Sequence, residues 1–312
     1  MRIFLAGASG VVGRQLVPKL AGLGHEVTGI TRSAEKTDAI RALGAEPVIC
    51  DVYDRDRLRE VVAAARPEVV IHHLTDLPQE LKPKGMKEAY AANDRVRREG
   101  TPNLVDAAVA AGARRIVAQN VAFIYAPVGS WVKGEDDPLF LDAPKPFDGS
   151  VRACQALERS VLGTDGIEGL SLRFGFFYGP GTTYASDGYS TGEVRKRRFP
   201  LVGKATGTFS FVHVDDVVAA TIAAMDQGTP GAYNVVDDDP APASEWLPVF
   251  ADAVGAKPPR HVPLWVARLF VGRAPASMMT ELRGASNAKA RAELGWEPRW
   301  PSWREGFREA LG

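Results

Sequence analysis

The chain has 312 residues, 45% of them hydrophobic, so it is long and apolar enough for a large α/β core. Its 38 Lys and Arg residues equal its 38 Asp and Glu residues, which excludes a global field that would recruit nucleic acid or an anionic membrane. With only Cys50 and Cys154, neither a disulfide framework nor a metal site is expected. The N-terminus lacks a secretory signal and no apolar run approaches the ~20 residues that span a bilayer, which predicts a cytoplasmic protein.

Short apolar runs alternate with longer amphipathic segments in the first part of the chain. The runs cover residues 2–7, 25–32, 46–51, 68–74, 114–120 and 170–179. Helical patterns lie between them, for example at 54–65 and 96–112. Strands that are apolar on both faces are typical of a parallel sheet covered by helices on both sides. The pattern therefore predicts an α/β fold with a doubly wound, Rossmann-type parallel sheet, in which Pro18 bends the first helix.

The composition changes after residue 176, where glycine, proline and aromatic residues gather. A sheet-type pattern returns at 209–225 and at 231–236, which indicates that two domains are interleaved. We predict a Rossmann-type domain over residues 1–175 that also receives about 208–236. A smaller substrate-binding cap is predicted over 176–207 and 237–312.

The segment GASGVVG follows the first predicted strand and opens the first helix. Its glycines, Gly7, Gly10 and Gly13, permit a tight turn and let bare backbone approach a pyrophosphate. The N–H groups at the start of the helix then face anionic oxygens. A glycine triplet alone is a weak signal, but this one stands in the required strand, turn and helix context.

The end of the second strand selects between the two nicotinamide cofactors, because a carboxylate there binds a ribose hydroxyl and an arginine accepts a 2′-phosphate. The sequence reads GITRSAEK and offers Arg32 with Ser33 instead of a carboxylate. This predicts NADP(H), with the alternative that Arg32 is a solvent-facing loop residue.

Several further motifs, CDVYD, HHLTDLP, NDRVRREGTPNLVDAA, LRFGFFYGPGT and FSFVHVDDVVAA, complete the pattern. Over nearly its whole length the chain resembles the extended branch of the short-chain dehydrogenase/reductase family, which includes NAD-dependent epimerases and dehydratases. The resemblance implies that Asn93 is a helix-bending structural residue and that the protein is a homodimer. The residues expected to line the cofactor lie on the glycine turn or at strand ends. They are Gly7, Ser9, Gly10, Val11, Val12, Gly13, Arg32, Ser33, Asp51, Val52, Leu74, Thr75, Gln119 and Phe174. The resemblance implies that Asp51 and Val52 flank the adenine and that Leu74 and Thr75 lie near the ribose and nicotinamide.

The resemblance breaks at the catalytic positions. The family uses a tyrosine to exchange a proton, a lysine four residues later, and a serine that hydrogen-bonds the reacting carbonyl. Aligning the residues ALE at 156–158 with the family's motif puts the tyrosine at Ser150 and the lysine at Cys154, while the serine falls on Asn120 or Val121. All three catalytic identities are therefore missing.

Other groups are candidates for the missing chemistry. We predict that Asn120 polarises a carbonyl, that Ser150 relays a proton through water and that Tyr178 supplies a nearby phenol. His213 is either a further acid or a structural, hydrogen-bonded histidine.

Two polar anchors of the nucleotide-sugar enzymes are replaced by Phe176 and Phe209, which favours a hydrophobic or aromatic substrate. The alternative is that both rings pack in the core. The basic run at 195–198 is either a solvated loop or a contact for a phosphate or carboxylate on the substrate. The predicted substrate pocket comprises Val121, Cys154, Phe176, Phe177 and Phe209.

These features predict an NADPH-dependent reductase for a small hydrophobic or aromatic carbonyl or activated alkene, because hydride transfer is the cofactor's own chemistry. One alternative is a non-catalytic NADP-binding sensor or scaffold, which explains the missing proton relay. Another is a redox-neutral epimerase or dehydratase, which needs the same proton transfers at least twice.

Overall fold

A parallel sheet of seven strands forms the centre of the protein, as shown by a computed structural model that describes residues 1–78 and 85–311. The strand order is β12-β7-β5-β4-β1-β2-β3, and every neighbouring pair is parallel. The bounds are β1 Arg2–Ala6, β2 Glu26–Thr31, β3 Glu46–Ile49, β4 Val69–His72, β5 Arg115–Val121, β7 Glu168–Phe174 and β12 Gly231–Val235.

Helices cover both faces of this sheet. They are α1 Val11–Gly22, α2 Thr37–Ala42, α3 Arg55–Ala65, α4 Met86–Arg95, α5 Thr101–Ala110, α6 Phe147–Leu162 and α8 Val214–Ala223. Successive side chains of a strand point to opposite faces. Accordingly, Ile3 and Leu5 of β1 pack with α1 and α8, and Phe4 and Ala6 pack with α3 and α5. The predicted doubly wound, Rossmann-type fold is confirmed.

The strand order reverses at β1, which has β2 on one side and β4 on the other. Ligands of open α/β sheets bind outside the carboxyl ends of the strands at such a reversal. The glycine turn after β1 and the loop after β4 therefore meet at the expected ligand site.

Two predicted elements are divided in the structure. The strand predicted over 170–179 ends at Phe174, and β8 (Phe176–Tyr178) pairs instead with β11 (Phe211–His213) in a separate two-stranded sheet. The helical segment predicted over 96–112 begins with a π-helical turn, Val96–Gly100, before α5. Helix α1, by contrast, continues through Pro18 to Gly22.

The second half of the chain forms a separate aromatic core around Phe211, Trp246, Phe250, Trp303 and Phe307. Short strands pair there as β6 (Val132–Lys133) with β15 (Gly284–Ala285), β9 (Leu201–Val202) with β14 (His261–Val262), and β10 (Thr208–Phe209) with β13 (Ala241–Pro242). The remaining helices are α7 Tyr189–Arg195, α9 Ala243–Ala253, α10 Leu264–Phe270, α11 Arg273–Glu281, α12 Ala288–Leu294 and α13 Trp303–Leu311.

Segments from both halves alternate along the chain. Strand β12 forms an edge of the large sheet, and Leu294 and Trp296, from α12 and the residues after it, pack in that sheet's core. The last part of the predicted cap thus returns to the sheet, and the domain boundaries at 175, 207 and 236 stay a prediction. Among the residues that the structure describes, no helix has the length and apolar character needed to cross a membrane.

Candidate active site

The glycine turn has no space for side chains. Gly7 has φ +106°, and a Cβ on it would lie 2.6 Å from the carbonyl oxygen of His73. A Cβ on Gly13 would lie 2.6 Å from the carbonyl oxygen of Ala8 and closer still to that of Gly7. The Gly10 N–H donates to the Gly7 carbonyl at 3.0 Å and closes the turn.

The first turn of α1 is available to an anion. Gly10 is the residue before the helix and supplies no side chain to cap it. Uncapped N–H groups at a helix start carry partial positive charge and bind phosphate. Val12 is buried in the core, and Ser9 and Val11 are half-buried beside the turn. This cradle fits the pyrophosphate of a dinucleotide.

Arg32 lies at the end of β2 and is paired. Its Nη2 donates to Asp76 Oδ1 at 3.1 Å, while 56% of its side chain stays exposed. Ser33 beside it is half-buried, and its N–H donates to Thr31 Oγ1 at 3.2 Å. The carboxylate that is missing from the β2 end is thus supplied by the loop after β4.

The predicted adenine contacts lie after β3. Asp51 Oδ1 accepts the N–H of Tyr53 at 3.0 Å, which holds this loop in a tight turn. Val52 is buried against Gly100 of the π-helical turn, where a Cβ would come 2.8 Å from Val52 Cγ1. The loop is therefore fixed by packing on its inner side.

The nicotinamide side of the predicted site is organised around His73. Its Nδ1 lies 2.7 Å from Gln119 Oε1 and its Nε2 lies 3.2 Å from Thr221 Oγ1. Burial lowers the pKa of His73 to about 4, so the ring is neutral at pH 7. Phe174 is buried and stacks on this ring. Gln119 and Phe174 thus support the wall of the site.

Leu74 and Thr75 follow β4 at the carboxyl edge of the sheet. The Leu74 N–H donates to His72 Nδ1 at 3.3 Å, and Thr75 is exposed. Both lie where the resemblance places the ribose and nicotinamide.

Asn120 is buried in β5 with its polar atoms engaged. Its amide nitrogen donates to the Cys154 carbonyl at 3.3 Å and to Glu158 Oε1 at 3.0 Å. Its oxygen accepts the N–H of Val121 at 3.0 Å. Both amide hydrogens are used, so the geometry gives Asn120 a structural role and leaves no donor for a substrate carbonyl.

Tyr178 lies in the aromatic core of the second half. It is fully buried, and its ring meets Phe211, His213 and Phe307 edge to face. Burial raises the pKa of Tyr178, so its phenol holds its proton. Its hydroxyl is buried and has no hydrogen-bond partner among the described residues, because the pairing of β8 with β11 turns the residue into the second core.

Ser150 is paired with a carboxylate. It lies on α6 and its Oγ donates to Asp94 Oδ2 at 3.1 Å. One turn further on, Cys154 is fully buried, and burial raises the pKa of its thiol to about 11. Ser150 is therefore the one hydroxyl of the predicted catalytic set that donates to a carboxylate among the described residues.

Of the predicted pocket residues, Phe209 is buried, whereas Val121, Phe176 and Phe177 are half-buried. Phe209 is buried among aromatic rings, with its centroid 4.9 Å from that of Phe176. Phe176 is half-buried and stacks on Phe123 at 4.4 Å. Phe177 packs against the core of the large sheet, edge-on to Phe174. Val121 is half-buried beside Cys154.

The structure bears on the two alternatives for His213 and on the two for the basic run at 195–198. His213 caps α8 by accepting the N–H of Asp215 at its Nδ1, 3.1 Å away. In the basic run, Arg195 and Arg197 donate to backbone carbonyls of Ser186, Val254 and Pro258. His213 thus stabilises the start of α8, and the two arginine side chains stabilise the backbone segments that they contact.

Three important residues were missed by the sequence reasoning: Asp76, Asp94 and Phe123. Asp76 and Asp94 lie within the motifs HHLTDLP and NDRVRREGTPNLVDAA, but the resemblance assigns them no role, and Phe123 lies outside the quoted motifs. The only sequence signal for Asp94 is its place beside Asn93, the residue marked as structural.

The fold and the glycine cradle define a Rossmann-type, dinucleotide-binding protein, and comparisons with known proteins extend this. Residues 3–235 match the NAD dependent epimerase/dehydratase family. The chain is 47% identical over 309 residues to a 3-diazoavenalumate denitrifying reductase of a Streptomyces species, covering 98% of this chain and 99% of that protein. The chain therefore belongs to the NAD-dependent epimerase/dehydratase family, and the extended short-chain dehydrogenase/reductase resemblance is confirmed.

Solved structures agree with the fold. UDP-glucose 4-epimerase of Thermotoga maritima, solved with UDP-glucose, superposes with a TM-score of 0.78 at 20% identity and covers 100% of this chain and 97% of that one. A human epimerase family protein solved with NADPH gives a TM-score of 0.74 at 20% identity, covering 100% of this chain and 99% of that one.

Proposed function

We propose that this protein is an NADPH-dependent reductase that places a hydride on the diazo-bearing carbon of an aromatic substrate and releases dinitrogen. The proposal is carried by the contrast between an intact dinucleotide-binding turn and the missing catalytic tyrosine and lysine. The glycine cradle for the dinucleotide is complete, whereas the tyrosine and lysine positions hold Ser150 and Cys154. The 47% identity to a diazo-compound reductase supports the choice of substrate class.

The chemistry explains why such a site works without the tyrosine. Reduction of a ketone leaves an alkoxide that must be protonated, so a carbonyl reductase benefits from a nearby acid. An aryl diazonium carbon accepts a hydride, forms a C–H bond and loses its C–N bond, whose electron pair leaves with N₂. No proton is needed at that carbon. Such a site therefore needs fewer polar groups around the reacting carbon than the site of a carbonyl reductase.

Two neighbouring aromatic side chains also suit an aromatic substrate. Phe123 and Phe176 are both half-buried and stacked, so they offer an apolar face on which an aryl group packs. When bound, the nicotinamide supplies the hydride; the chain's own task is to hold the dinucleotide at Gly7–Gly13 and the ring against these side chains. The homodimer and the cytoplasmic location stay predictions.

The direct test is reduction of an arenediazonium carboxylate by the purified protein with NADPH. We expect NADPH oxidation with equal release of N₂, and deuterium from the labelled C4 position of the cofactor at the former diazo carbon. The enzyme-free rate must be subtracted, because diazonium compounds react with reductants in solution. Tight NADPH binding without turnover of the diazo compound, or of hydrophobic ketones, would favour the sensor alternative.

Cofactor selection gives a second test. Arg32→Ala is expected to weaken NADPH binding by about 10- to 100-fold, since a hydrogen bond to a charged group contributes roughly 1.5–3 kcal/mol. NADH binding should change little. Asp76→Asn should instead favour NADPH, because it removes the carboxylate that competes for Arg32 and repels a phosphate. Titration of both variants with both cofactors checks this, and equal losses for NADH and NADPH in Arg32→Ala would contradict the 2′-phosphate assignment.

A further inference from the structure

Helix α10 carries an exposed apolar surface. Trp265, Leu269 and Phe270 are 71%, 74% and 80% exposed, and Val271 directly follows them. Ala267, on the opposite side of the helix, is buried in the aromatic core and holds α10 in place. Single exposed apolar residues are common, but large ones that adjoin each other mark a contact surface for another molecule.

The segment around this helix is basic. Residues 253–280 contain no Asp or Glu, whereas they contain Lys257, Arg260, Arg268 and Arg273, all of them exposed. The apolar side chains are therefore flanked by positive charge on both sides along the chain.

The fold brings further basic residues to the same place. Strand β9 pairs with β14, which directly precedes α10, and the Leu201 N–H donates to the Arg260 carbonyl at 2.9 Å. A Cβ on Gly203 would lie 3.5 Å from Leu264 Cβ of α10. Lys204, the next residue, is exposed. It adds a positive charge beside the helix from a distant part of the sequence.

The basic run at 195–198 lies next to the same segment. The Nε atoms of Arg195 and Arg197 donate to the carbonyls of Val254 and Pro258 at 3.3 and 3.1 Å. A carbonyl has no net charge, so these contacts leave the positive charge of both guanidinium groups in place. Glu193 offsets a part of the charge by pairing with the other two basic residues of the run.

We propose that α10, with the basic residues around it, is a contact surface for an anionic lipid bilayer. The large apolar side chains of the helix enter the boundary between headgroups and acyl chains, and the arginine and lysine side chains meet the lipid phosphates. The balanced total charge of the chain excludes a global field, but the charge of this surface is local. Such a field acts over about one Debye length, ~10 Å at 0.1 M salt.

Two other occupants fit this surface less well. A second copy of the chain, related by a two-fold axis, would place the same positive surface opposite itself, and like charges would repel. An acidic protein would satisfy the charges, but a folded partner would need a cavity for side chains that protrude this far. The acyl boundary of a bilayer accepts them without such a match.

Sedimentation of the full chain with vesicles at low salt tests the proposal. We expect binding to vesicles of equal parts phosphatidylglycerol and phosphatidylcholine, no binding to phosphatidylcholine alone, and release by salt. Replacing both apolar residues, as Leu269→Ser with Phe270→Ser, should lower the partition about tenfold or more, because less apolar area is buried. Arg268→Gln should lower it about fivefold.

Leu23→Ser is the matched control, since Leu23 at the end of α1 is 60% exposed and lies outside the α10 surface. This variant should bind vesicles as the wild type does.

The fluorescence of Trp265 reports whether the apolar residues reach the acyl chains. We expect a blue shift on binding and quenching by lipids that carry bromine on their acyl chains. Trp265→Phe keeps an apolar ring, so it should still sediment with the vesicles while losing most of the shift and the quenching. Trp246, Trp296 and Trp303 are buried in the protein and should contribute little.

Wild-type protein that stays in the supernatant at low salt, or a double serine variant that sediments as the wild type does, would overturn the proposal. Sedimentation without quenching of Trp265 would also overturn it, because adsorption by charge alone leaves the apolar residues in water. Self-association without lipid that the double serine variant abolishes would assign the surface to a second copy instead. These measurements use neither cofactor nor substrate, so their outcome is independent of the proposed function.

Discussion

Replacement of Gly13 by alanine is expected to abolish useful dinucleotide binding. The new Cβ would overlap the backbone of Gly7 and Ala8, and backbone cannot move aside as a flexible side chain does. The cradle must open, which costs about 1–3 kcal/mol of folding free energy by overpacking. Loss of two charge-assisted hydrogen bonds to the pyrophosphate, at roughly 1.5–3 kcal/mol each, lowers affinity at least ~100-fold.

Gly22 offers a matched control on the same helix. A Cβ there meets nothing within 4 Å, so Gly22→Ala should keep cofactor affinity and raise stability slightly, by up to about 1 kcal/mol. NADPH titration and chemical unfolding of both variants provide the comparison. Retention of wild-type NADPH affinity in Gly13→Ala would show that the turn is not the pyrophosphate site.

Glu158→Ala is expected to have the largest effect on stability. The Glu158 carboxylate receives Arg173 Nε and Nη2 at 2.7 Å each, and also the Ser171 hydroxyl and the Asn120 amide. Removing one partner of a buried ion pair leaves the other charge uncompensated and costs about 3–5 kcal/mol. The Arg173 guanidinium would remain inside with its main acceptor lost.

Arg159→Ala serves as the reference for this variant, since Arg159 is the next residue of α6, is exposed, and has a side chain that bonds only to Gln155 among the described residues. Its removal should change the unfolding free energy by less than about 0.5 kcal/mol, as is usual at the surface. Urea unfolding measures both. A loss below 1 kcal/mol in Glu158→Ala would mean that the pair is replaced by water or another partner.

The sequence predicted the fold well because its signals are local. The central strands of the large sheet lie in apolar runs, and Gly7 and Gly13 of the turn have no space for a Cβ. The prediction of NADP(H) over NAD(H) relied only on the residues at the end of β2. The structure adds Asp76, which lies in another loop. Asp76 reaches Arg32 from the loop after β4, a contact that depends on tertiary structure.

The catalytic positions were harder to predict for the same reason. Tyr178 stands four residues after Phe174 in one apolar run, yet the break at Gly175 sends the two residues into different cores. There a Cβ would lie 2.5 Å from the Ser210 carbonyl, so the bend requires glycine. Asn120 occupies the expected strand end, but Glu158 and Cys154 take its hydrogens.

The interleaving of the chain has a consequence for how the molecule can be divided. Strand β7 has β5 on one side and β12 on the other, and β12 arrives only after the chain has passed through the second aromatic core. A fragment that stops at residue 175 would leave the ladder groups of β7 open to solvent and to other chains. The predicted cofactor domain and the predicted cap therefore cannot be separated by a single cut in the chain.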